Sequence, residues 1–316
     1  MTDFFKIPGS CGLLLWVALG YSPPAHAGLW DQFEMPIVGS DEVWSDWIID
    51  GDWRIQQHAI IGHYRLLDNH ERRLAFGSMP QCFDELQRRR QAGELGVMPS
   101  QVVICIHGLR GSRSSLLEMQ RMLAEQGGYT VLNFGYASTC GTIQEQALAL
   151  ESVLRNLQGV DEVSFVAHSM GNILVRHVLY KFKEQGNPPP LRFRKMVMLA
   201  PPNHGAEVAD TFAQRPLLRL LVGRALEQFA PSRGWPLLEQ QLATPQFEFG
   251  IITGGRKNDV GYLPRIVGDD DGLLSIRTQF LEGADAYLQT GGLHQAMPQY
   301  QVVQAATLQY LQSGRF

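Results

Sequence analysis

Short apolar runs and helical periodicities follow one another along most of this chain. Residues 102–106 form an unbroken apolar run, and residues 163–167 form a second hydrophobic segment of strand length. Such runs are typical of strands that are buried on both faces of a parallel sheet. After the second run, apolar residues recur at the spacing of a helix, at Val175, Val178, Leu179 and Phe182. The pattern predicts an α/β domain over residues 100–316, with a mostly parallel central sheet and helices on both faces.

Residues 28–99 show a different pattern, which predicts an N-terminal extension packed on this core. Residues 53–68 predict two strands, either edge strands or a hairpin that joins the main sheet. Residues 80–95 contain three consecutive arginines and predict a helix with a solvated basic face.

The segment of residues 206–247 is rich in apolar positions and predicts helices inserted between two strands of the sheet. These positions are Phe212, Leu217, Leu218, Leu220, Leu221, Val222, Leu226 and Phe229. They exceed one narrow stripe, which favours a helical cap over the site and a groove for an acyl chain. A helix that packs on the sheet face is the alternative.

The N-terminal residues have the organisation of a secretory leader. Lys6 precedes an apolar core over residues 11–19, and Pro23-Pro24 and Ala25-His26-Ala27 follow it. An apolar run of about 10 residues is too short to span a bilayer, which takes about 20. We expect a signal peptide over residues 1–27, cleavage after Ala27, and a secreted or periplasmic protein.

Composition limits the partners and the covalent links. The chain has 316 residues, 45% of them hydrophobic, and a net charge of -4, which argues against a nucleic-acid partner. Removal of the leader would leave Cys82, Cys105 and Cys140. Cys105 lies in a buried run and is expected to be a free packing residue, and a disulfide between Cys82 and Cys140 stays open.

The candidate chemistry begins where the strand of residues 163–167 meets the helix that follows it. The connecting residues are His168-Ser169-Met170-Gly171, and small residues at Ala167 and Gly171 would let strand and helix approach closely. Ser169 would then be exposed at the tip of a strained turn, in the manner of a GxSxG nucleophile with Ala167 in place of the first glycine. An ordinary strand-to-helix turn is the alternative for this motif alone.

A nucleophilic serine also needs donors for the oxyanion that forms during acyl transfer. The strand of residues 102–106 opens into a glycine-containing loop at residues 107–112. The N–H groups of Leu109 in this loop and of Met170 after the serine are the expected oxyanion donors.

The serine further needs a histidine base and an orienting carboxylate, in the chain order serine, acid, histidine for this arrangement. Asp271 is favoured over Asp269 and Asp270 because Gly272 frees the backbone to turn its carboxylate, whereas the other two would face solvent or cap the turn. His294 follows the last expected strand and a glycine pair.

The remaining histidines near these motifs are expected in the substrate pocket. They are His107, His168 and His204. His204 is an alternative candidate for the base, but it follows a strand one position too early in the order. No metal or organic cofactor is needed for this chemistry.

Residues from about 100 to 310 resemble an α/β-hydrolase of the bacterial lipase and esterase type, and are similar to the lipase-like proteins related to GPI inositol-deacylases. The matching motifs, in order, are 107–109, 136–139, the elbow at Ser169, 200–205, Asp271-Gly272 and His294. The resemblance implies that Ser169 is the nucleophile, Asp271 the acid and His294 the base. It also implies oxyanion donation by Leu109 and Met170. The family usually has a serine or a glutamine at the position of His204.

The combined expectation is a serine hydrolase that cleaves carboxylic esters, with lipid or acyl-glycerol esters favoured, and with transient contact between the cap and a lipid surface. Two alternatives stay open. The same residues serve an amidase or an acyltransferase, and a catalytically silent member of the fold would act as a binding module.

Overall fold

The computed structural model describes residues 40–213 and 224–316. The expected signal peptide, and the apolar positions Leu217, Leu218, Leu220, Leu221 and Val222 of the expected cap, lie outside the described residues, and so does the side chain of Phe212. None of the helices in the described ranges is both long enough and apolar enough to cross a membrane.

The first sheet is antiparallel and belongs to the N-terminal extension. Its strands are β1 (Trp44–Asp50), β2 (Trp53–His58), β3 (Tyr64–Leu67) and β4 (Arg73–Gly77), in the order β1-β2-β3-β4, and helix α1 (Met79–Gln91) follows. The two strands expected over residues 53–68 form as β2 and β3 and pair as a hairpin, but the expectation that they join the main sheet is wrong. The four strands pair with one another because short turns connect them, and together with α1 they enclose an apolar cluster of their own that includes Ile55, Leu66 and Leu86.

Cys82 of α1 lies in the same cluster and is fully buried as a free thiol. The possible disulfide between Cys82 and Cys140 is therefore not formed, because the Cys82 side chain faces the inside of the N-terminal cluster. Cys105 is a free, buried cysteine of the main sheet, as expected.

The second sheet has six parallel strands in the described residues. They are β5 (Gln101–Ile106), β6 (Val131–Phe134), β7 (Glu162–His168), β8 (Arg192–Leu199), β9 (Glu248–Thr253) and β10 (Ala286–Gln289), in the order β10-β9-β8-β7-β5-β6. The helices around them are α2 (Leu117–Gly127), α3 (Ile143–Asn156), α4 (Met170–Gln185), α5 (Glu207–Ala213), α6 (Arg224–Gln228), α7 (Trp235–Glu239), α8 (Ile276–Gln279) and α9 (Gln301–Ser313). Short 3-10 helices cover Arg113–Leu116 and His294–Gln299.

Alternating strand residues divide the core into two layers, one on each face of the main sheet. Ile104 and Phe165 pack with the buried side chains of α3 and α4. Val103 and Val166 point to the other face and pack with α2 and α9. Helices therefore cover both faces, as predicted, and the two predicted runs at residues 102–106 and 163–167 lie in the central strands β5 and β7.

The parallel sheet gathers the expected functional motifs at one edge. All six strands run in the same direction, so the loops that follow β5, β7, β8, β9 and β10 begin at the carboxyl edge of the sheet. In open sheets of this kind the ligand site lies outside the carboxyl ends of the strands. Residues 107–112, Ser169, 200–205, Asp271 and His294 are thus brought to one place from distant parts of the chain.

The segment between β8 and β9 contains the short helices α5, α6 and α7. Phe229, Trp235 and Leu238 are buried and join the apolar layer that also contains α3 and α4. Phe229 and Leu226 also line the cavity beside Ser169. The described part of this segment therefore packs on the core and contributes to the cavity wall.

Candidate active site

Ser169 lies in the sharp turn between β7 and α4. Its φ of 53° and ψ of -124° are uncommon for a residue that carries a side chain. Three hydrogen bonds hold the turn, since the Ser169 N–H donates to the Leu199 carbonyl at 2.9 Å, and the backbone N–H and Nδ2 of Asn172 both donate to the Ser169 carbonyl at 3.0 Å. The backbone strain is therefore fixed by the neighbouring strand β8 and by the first turn of α4.

Gly171 explains why strand and helix can approach so closely here. A Cβ atom at this position would lie 2.8 Å from the carbonyl oxygens of both Ile106 and His107. Backbone carbonyls at the end of a central strand cannot move aside cheaply, so glycine is required at position 171. Ala167, in contrast, has its methyl group fully buried in the sheet without conflict.

The side chains of Ser169, His294 and Asp271 form one chain of hydrogen bonds. His294 Nε2 lies 2.8 Å from Ser169 Oγ, and His294 Nδ1 lies 2.8 Å from Asp271 Oδ2. Asp271 accepts from a nitrogen that carries a proton, so the unprotonated Nε2 accepts from the serine hydroxyl. All three residues are buried, with Ser169 8% exposed. The structure thus brings together the three residues that the sequence predicted as nucleophile, base and acid.

The backbone around Asp271 fixes its carboxylate. Oδ1 accepts from the N–H groups of Leu273 at 3.1 Å and Leu274 at 2.8 Å, which is the turn that Gly272 allows with its φ of 89°. Oδ2, which faces His294, also accepts from Gln279 Nε2 at 2.9 Å.

Asp269 and Asp270 cap the preceding loop. Their carboxylates accept from backbone N–H groups within residues 256–263. The capping was predicted, but Asp270 is fully buried and does not face solvent.

His168 is hydrogen-bonded to the backbone of His294. Its Nε2 lies 2.9 Å from the His294 carbonyl oxygen, so it donates there as a neutral imidazole. Burial, reinforced by the neighbouring His294, lowers the pKa of His168 to about 3. His168 also lines the cavity next to Ser169, as expected of a pocket residue.

Two backbone N–H groups at the space beside Ser169 are placed to serve as donors. Leu109 and Met170 both line the cavity, and neither N–H has an acceptor among the residues that the structure describes. Met170 is the first residue of α4, so the partial positive charge of a helix N-terminus adds to its donor. The Arg110 N–H donates to Ser138 Oγ at 2.9 Å, which anchors the loop that carries Leu109.

A cavity of about 150 Å³ opens beside Ser169. Its walls are largely apolar and consist of Leu109, Met170, Pro202, Ala206, Val208, Leu226, Phe229, Leu273 and Leu274, with Arg110, His168, Ser169 and Gln295 as the polar members. Apolar walls with a few polar groups at one end suit a substrate with a hydrocarbon part and a reactive polar group.

Two histidines predicted for the pocket lie elsewhere. His107 is buried under the loop, where its ring stacks on Tyr136 with the ring centres 4.3 Å apart, and it is not part of the cavity wall. His204 is half-exposed, and its Nδ1 lies 3.4 Å from a Glu239 carboxylate oxygen on α7. Pro202 and Ala206, on either side of His204 in the sequence, line the cavity instead, because the loop directs His204 away from it.

Gln279 is a site residue that the sequence did not predict, although it lies eight positions after Asp271 and donates to its carboxylate. A lone glutamine in a short helix carries no local pattern, so no sequence signal could have found it. In the described ranges, no group of three or more histidine, cysteine or acidic side chains is arranged to hold a metal ion.

Comparisons with known proteins bear on the fold and on the general class of reaction. Residues 98–212, just over a third of the chain, match the family described as "Putative serine esterase (DUF676)". The mature form of the lipase BlEst2 from Bacillus licheniformis is similar in structure, with a TM-score of 0.53 and 18% sequence identity over 69% of this chain and 93% of that one. The protein has an α/β-hydrolase fold. The match and the fold together support a serine hydrolase of the lipase and esterase type.

The propeptide form of the same Bacillus licheniformis lipase is also similar, with a TM-score of 0.52 and 17% identity over 67% of this chain and 51% of that one. No curated protein sequence matches the chain. At these identities the likeness to solved structures concerns the fold, and the chemistry of this chain depends on its own residues.

Proposed function

We propose that this α/β-hydrolase cleaves carboxylic esters with a hydrophobic acyl part, by an acyl-enzyme mechanism at Ser169. The observation that carries the proposal is the chain of two 2.8 Å hydrogen bonds from Ser169 through His294 to Asp271, at the wall of an apolar cavity. An ordinary strand-to-helix turn would not require a buried histidine and a buried carboxylate to meet the serine.

The roles follow from the donors and acceptors. His294 Nε2 takes the proton of the Ser169 hydroxyl as the oxygen attacks the ester carbonyl, and returns it to the leaving alcohol. Asp271 holds the imidazole in the tautomer that leaves Nε2 free, and stabilises the imidazolium that forms. A water molecule, deprotonated by the same nitrogen, then releases the acid from the serine.

The tetrahedral intermediate carries its negative charge on the former carbonyl oxygen. The N–H groups of Leu109 and Met170 are suited to receive it, because they line the cavity beside Ser169 and have no acceptor among the described residues. A single such donor is worth roughly 3 to 4 kcal/mol in well-studied enzymes. The N-terminus of α4 contributes in the same direction.

The lining of the cavity supports an ester with a hydrophobic acyl part. Its walls present Leu226, Phe229, Leu273 and Leu274 to the substrate, which favours a hydrocarbon chain over a polar acyl group. Lipid and acyl-glycerol esters fit this preference. We extend the proposal to transient contact of the helical segment between β8 and β9 with a lipid surface, since this segment carries part of the cavity wall.

Labelling with a fluorophosphonate tests the nucleophile, because this reagent modifies a serine only where a base activates it. We expect one label on the wild-type protein, located at Ser169, and none on Ser169→Ala. Ser152→Ala is the matched control, since Ser152 donates to the Trp47 carbonyl and neither residue lines the cavity. Labelling of Ser169→Ala at the wild-type rate would refute the assignment.

A series of nitrophenyl esters then measures the acyl preference. We expect kcat/KM to rise from acetate to longer acyl chains, because the apolar walls gain contact with each added methylene. Turnover that falls steadily from the acetate onwards would contradict the hydrophobic acyl site. Labelling of Ser169 without turnover of any ester would point to a binding module or to an amide substrate.

A further inference from the structure

One oxygen of the Asp271 carboxylate accepts two side-chain hydrogen bonds. Oδ2 lies 2.8 Å from His294 Nδ1 and 2.9 Å from Gln279 Nε2. Gln279 is the last residue of the short helix α8 and is fully buried. The carboxylate oxygen that accepts the hydrogen bond of His294 therefore accepts a second one from a neutral amide.

Gln279 is itself held from the far side of the site. Its backbone carbonyl accepts from Asn203 Nδ2 at 2.9 Å, and Asn203 Oδ1 accepts from Arg176 Nη1 at 3.0 Å. Arg176 lies on α4, the helix that begins directly after Ser169. Hydrogen bonds thus connect the helix of the serine with the loop of the carboxylate by a route that does not pass through His294.

The rest of the Gln279 side chain has no comparable role. Its Oε1 is buried and has no hydrogen-bond partner among the described residues. A buried amide oxygen without a partner is costly, and a glutamine chosen only for packing would lose nothing by replacement with an apolar residue. The contact with Asp271 is therefore the feature that the amide group serves.

We propose that Gln279 is a positioning residue that orients the Asp271 carboxylate and weakens its pull on the His294 proton. The inference rests on the proposed function, in which His294 acts as the base. A carboxylate that accepts fewer hydrogen bonds is a stronger base and a stronger acceptor. It therefore stabilises the neighbouring imidazolium more strongly. Loss of the Gln279 donor would therefore keep His294 protonated to higher pH.

The other polar groups around His294 make no hydrogen bond to the Gln279 side chain, so its replacement leaves their contacts in place. His168 donates to the His294 carbonyl, and the Ser169 hydroxyl faces Nε2. Tyr300 on the following segment accepts from the Leu293 N–H. The Asp269 and Asp270 carboxylates are bound to backbone N–H groups, and Arg110 lies at the cavity wall. Asp271 is the group that a change at Gln279 reaches directly.

Gln279→Met tests the inference, because methionine keeps the length of the side chain and removes the donor together with the unpartnered oxygen. We expect the acidic limb of the kcat/KM profile to move upward by roughly half a pH unit. We also expect kcat to fall about tenfold while KM stays close to the wild-type value, since the defect lies in the reacting groups.

Gln56→Met is the matched control. Gln56 is another buried glutamine, on β2 of the N-terminal sheet, and its Nε2 donates to a carboxylate oxygen of Asp46 at 2.8 Å. We expect this variant to lose stability without any movement of the pH profile. A profile of Gln279→Met that coincides with the wild type, or one that moves equally in Gln56→Met, overturns the proposal. If Gln279→Met does not fold, Gln279→Leu undergoes the same comparison.

The proton NMR signal of the His294 Nδ1–H gives a readout that does not depend on turnover. We expect the low-field resonance of this shared proton to shift in Gln279→Met and to stay unchanged in Gln56→Met. The shift should occur even if no ester is cleaved, so failure of the proposed function and failure of this inference have different signatures. An unchanged resonance in Gln279→Met rejects the positioning role.

Discussion

Gly108 lies at the point where the loop after β5 passes the elbow. A Cβ atom at this position would lie 2.9 Å from the Cβ of Ser169 and 3.2 Å from His168 Nδ1. The backbone φ of Gly108 is not positive, so an alanine meets no conformational strain there. Gly108→Ala therefore adds one methyl group directly against the serine side chain, and its effect is purely steric.

The size of the effect follows from the missing space. Carbon atoms in contact lie ~3.5 to 4.0 Å apart, so the two Cβ atoms must separate by at least about 0.6 Å. A displacement of 1 Å at a reacting group costs on the order of 100-fold in rate, and part of this shift falls on Ser169. We expect kcat/KM to fall about tenfold or more, which corresponds to roughly 1.4 kcal/mol in the activation free energy.

The assay compares Gly108→Ala with Gly96→Ala, using kcat/KM for a nitrophenyl ester and the rate of fluorophosphonate labelling. A Cβ atom at Gly96 would have no heavy atom within 4 Å, and the φ of Gly96 is not positive, so its alanine variant is a control for the substitution itself. Both rates should fall together in Gly108→Ala and stay at the wild-type value in Gly96→Ala. A Gly108→Ala protein that retains the full labelling rate would show that the loop and the elbow are not in contact as described.

Three further predictions concern other parts of the molecule. Because the pKa of His168 is lowered to about 3 from an unfolded value of 6.5, its stabilisation is complete above pH 6.5 and declines as the pH falls towards 3. Denaturant unfolding should show that the wild type loses about 2 kcal/mol more than His168→Phe between pH 7.5 and pH 5. Asp46→Asn should cost about 3 kcal/mol in the free energy of unfolding, since it leaves the largely buried Arg54 guanidinium without its carboxylate at 2.8 Å. We also propose that residues 1–27 are a leader that is cut after Ala27; mass spectrometry of the protein recovered from its cells and their medium should find a mature N-terminus at residue 28, and an intact N-terminus would refute the leader.

Local chemistry made the elbow predictable from sequence. Strand, small residues and helix around Ser169 are neighbours in the chain, so their relation can be deduced before any tertiary contact is known. Asp271 and His294 could be assigned because the chain order of a parallel sheet limits where they lie. The glycine after Asp271, with its φ of 89°, was a correct signal for the turn of the carboxylate.

The N-terminal sheet could not be deduced in the same way. Two apolar segments with strand character indicate pairing, but not whether the partner is a neighbouring segment or the edge of the main sheet. The buried Asp46 of β1 links the N-terminal sheet to the main domain. Its Oδ2 accepts from the N–H of Gly135, directly after β6, at 2.7 Å and from Arg54 on β2 at 2.8 Å. A single acidic residue in a strand would ordinarily be assigned to the solvent face, so this link was not visible in the pattern.

The positions of His107 and His204 show a related limit. Both lie next to a motif of the site, and adjacency in sequence predicted adjacency to the substrate. Side chains alternate along an extended segment, and the stacking of His107 on Tyr136 directs it into the core instead. Contacts of this kind depend on a partner 29 positions away, which no local pattern specifies.

The strain at Ser169 connects these observations. A residue with φ of 53° persists only where its surroundings leave no alternative, and here the constraint comes from two directions. On one side, Leu199 at the end of β8 and Asn172 in the first turn of α4 fix the backbone of the turn. From the opposite side, His168 fixes the carbonyl of His294, whose ring meets the serine hydroxyl. Because His168 directly precedes Ser169 in the turn, the elbow also holds the base, and a change that relaxes the turn must displace His294 from Ser169.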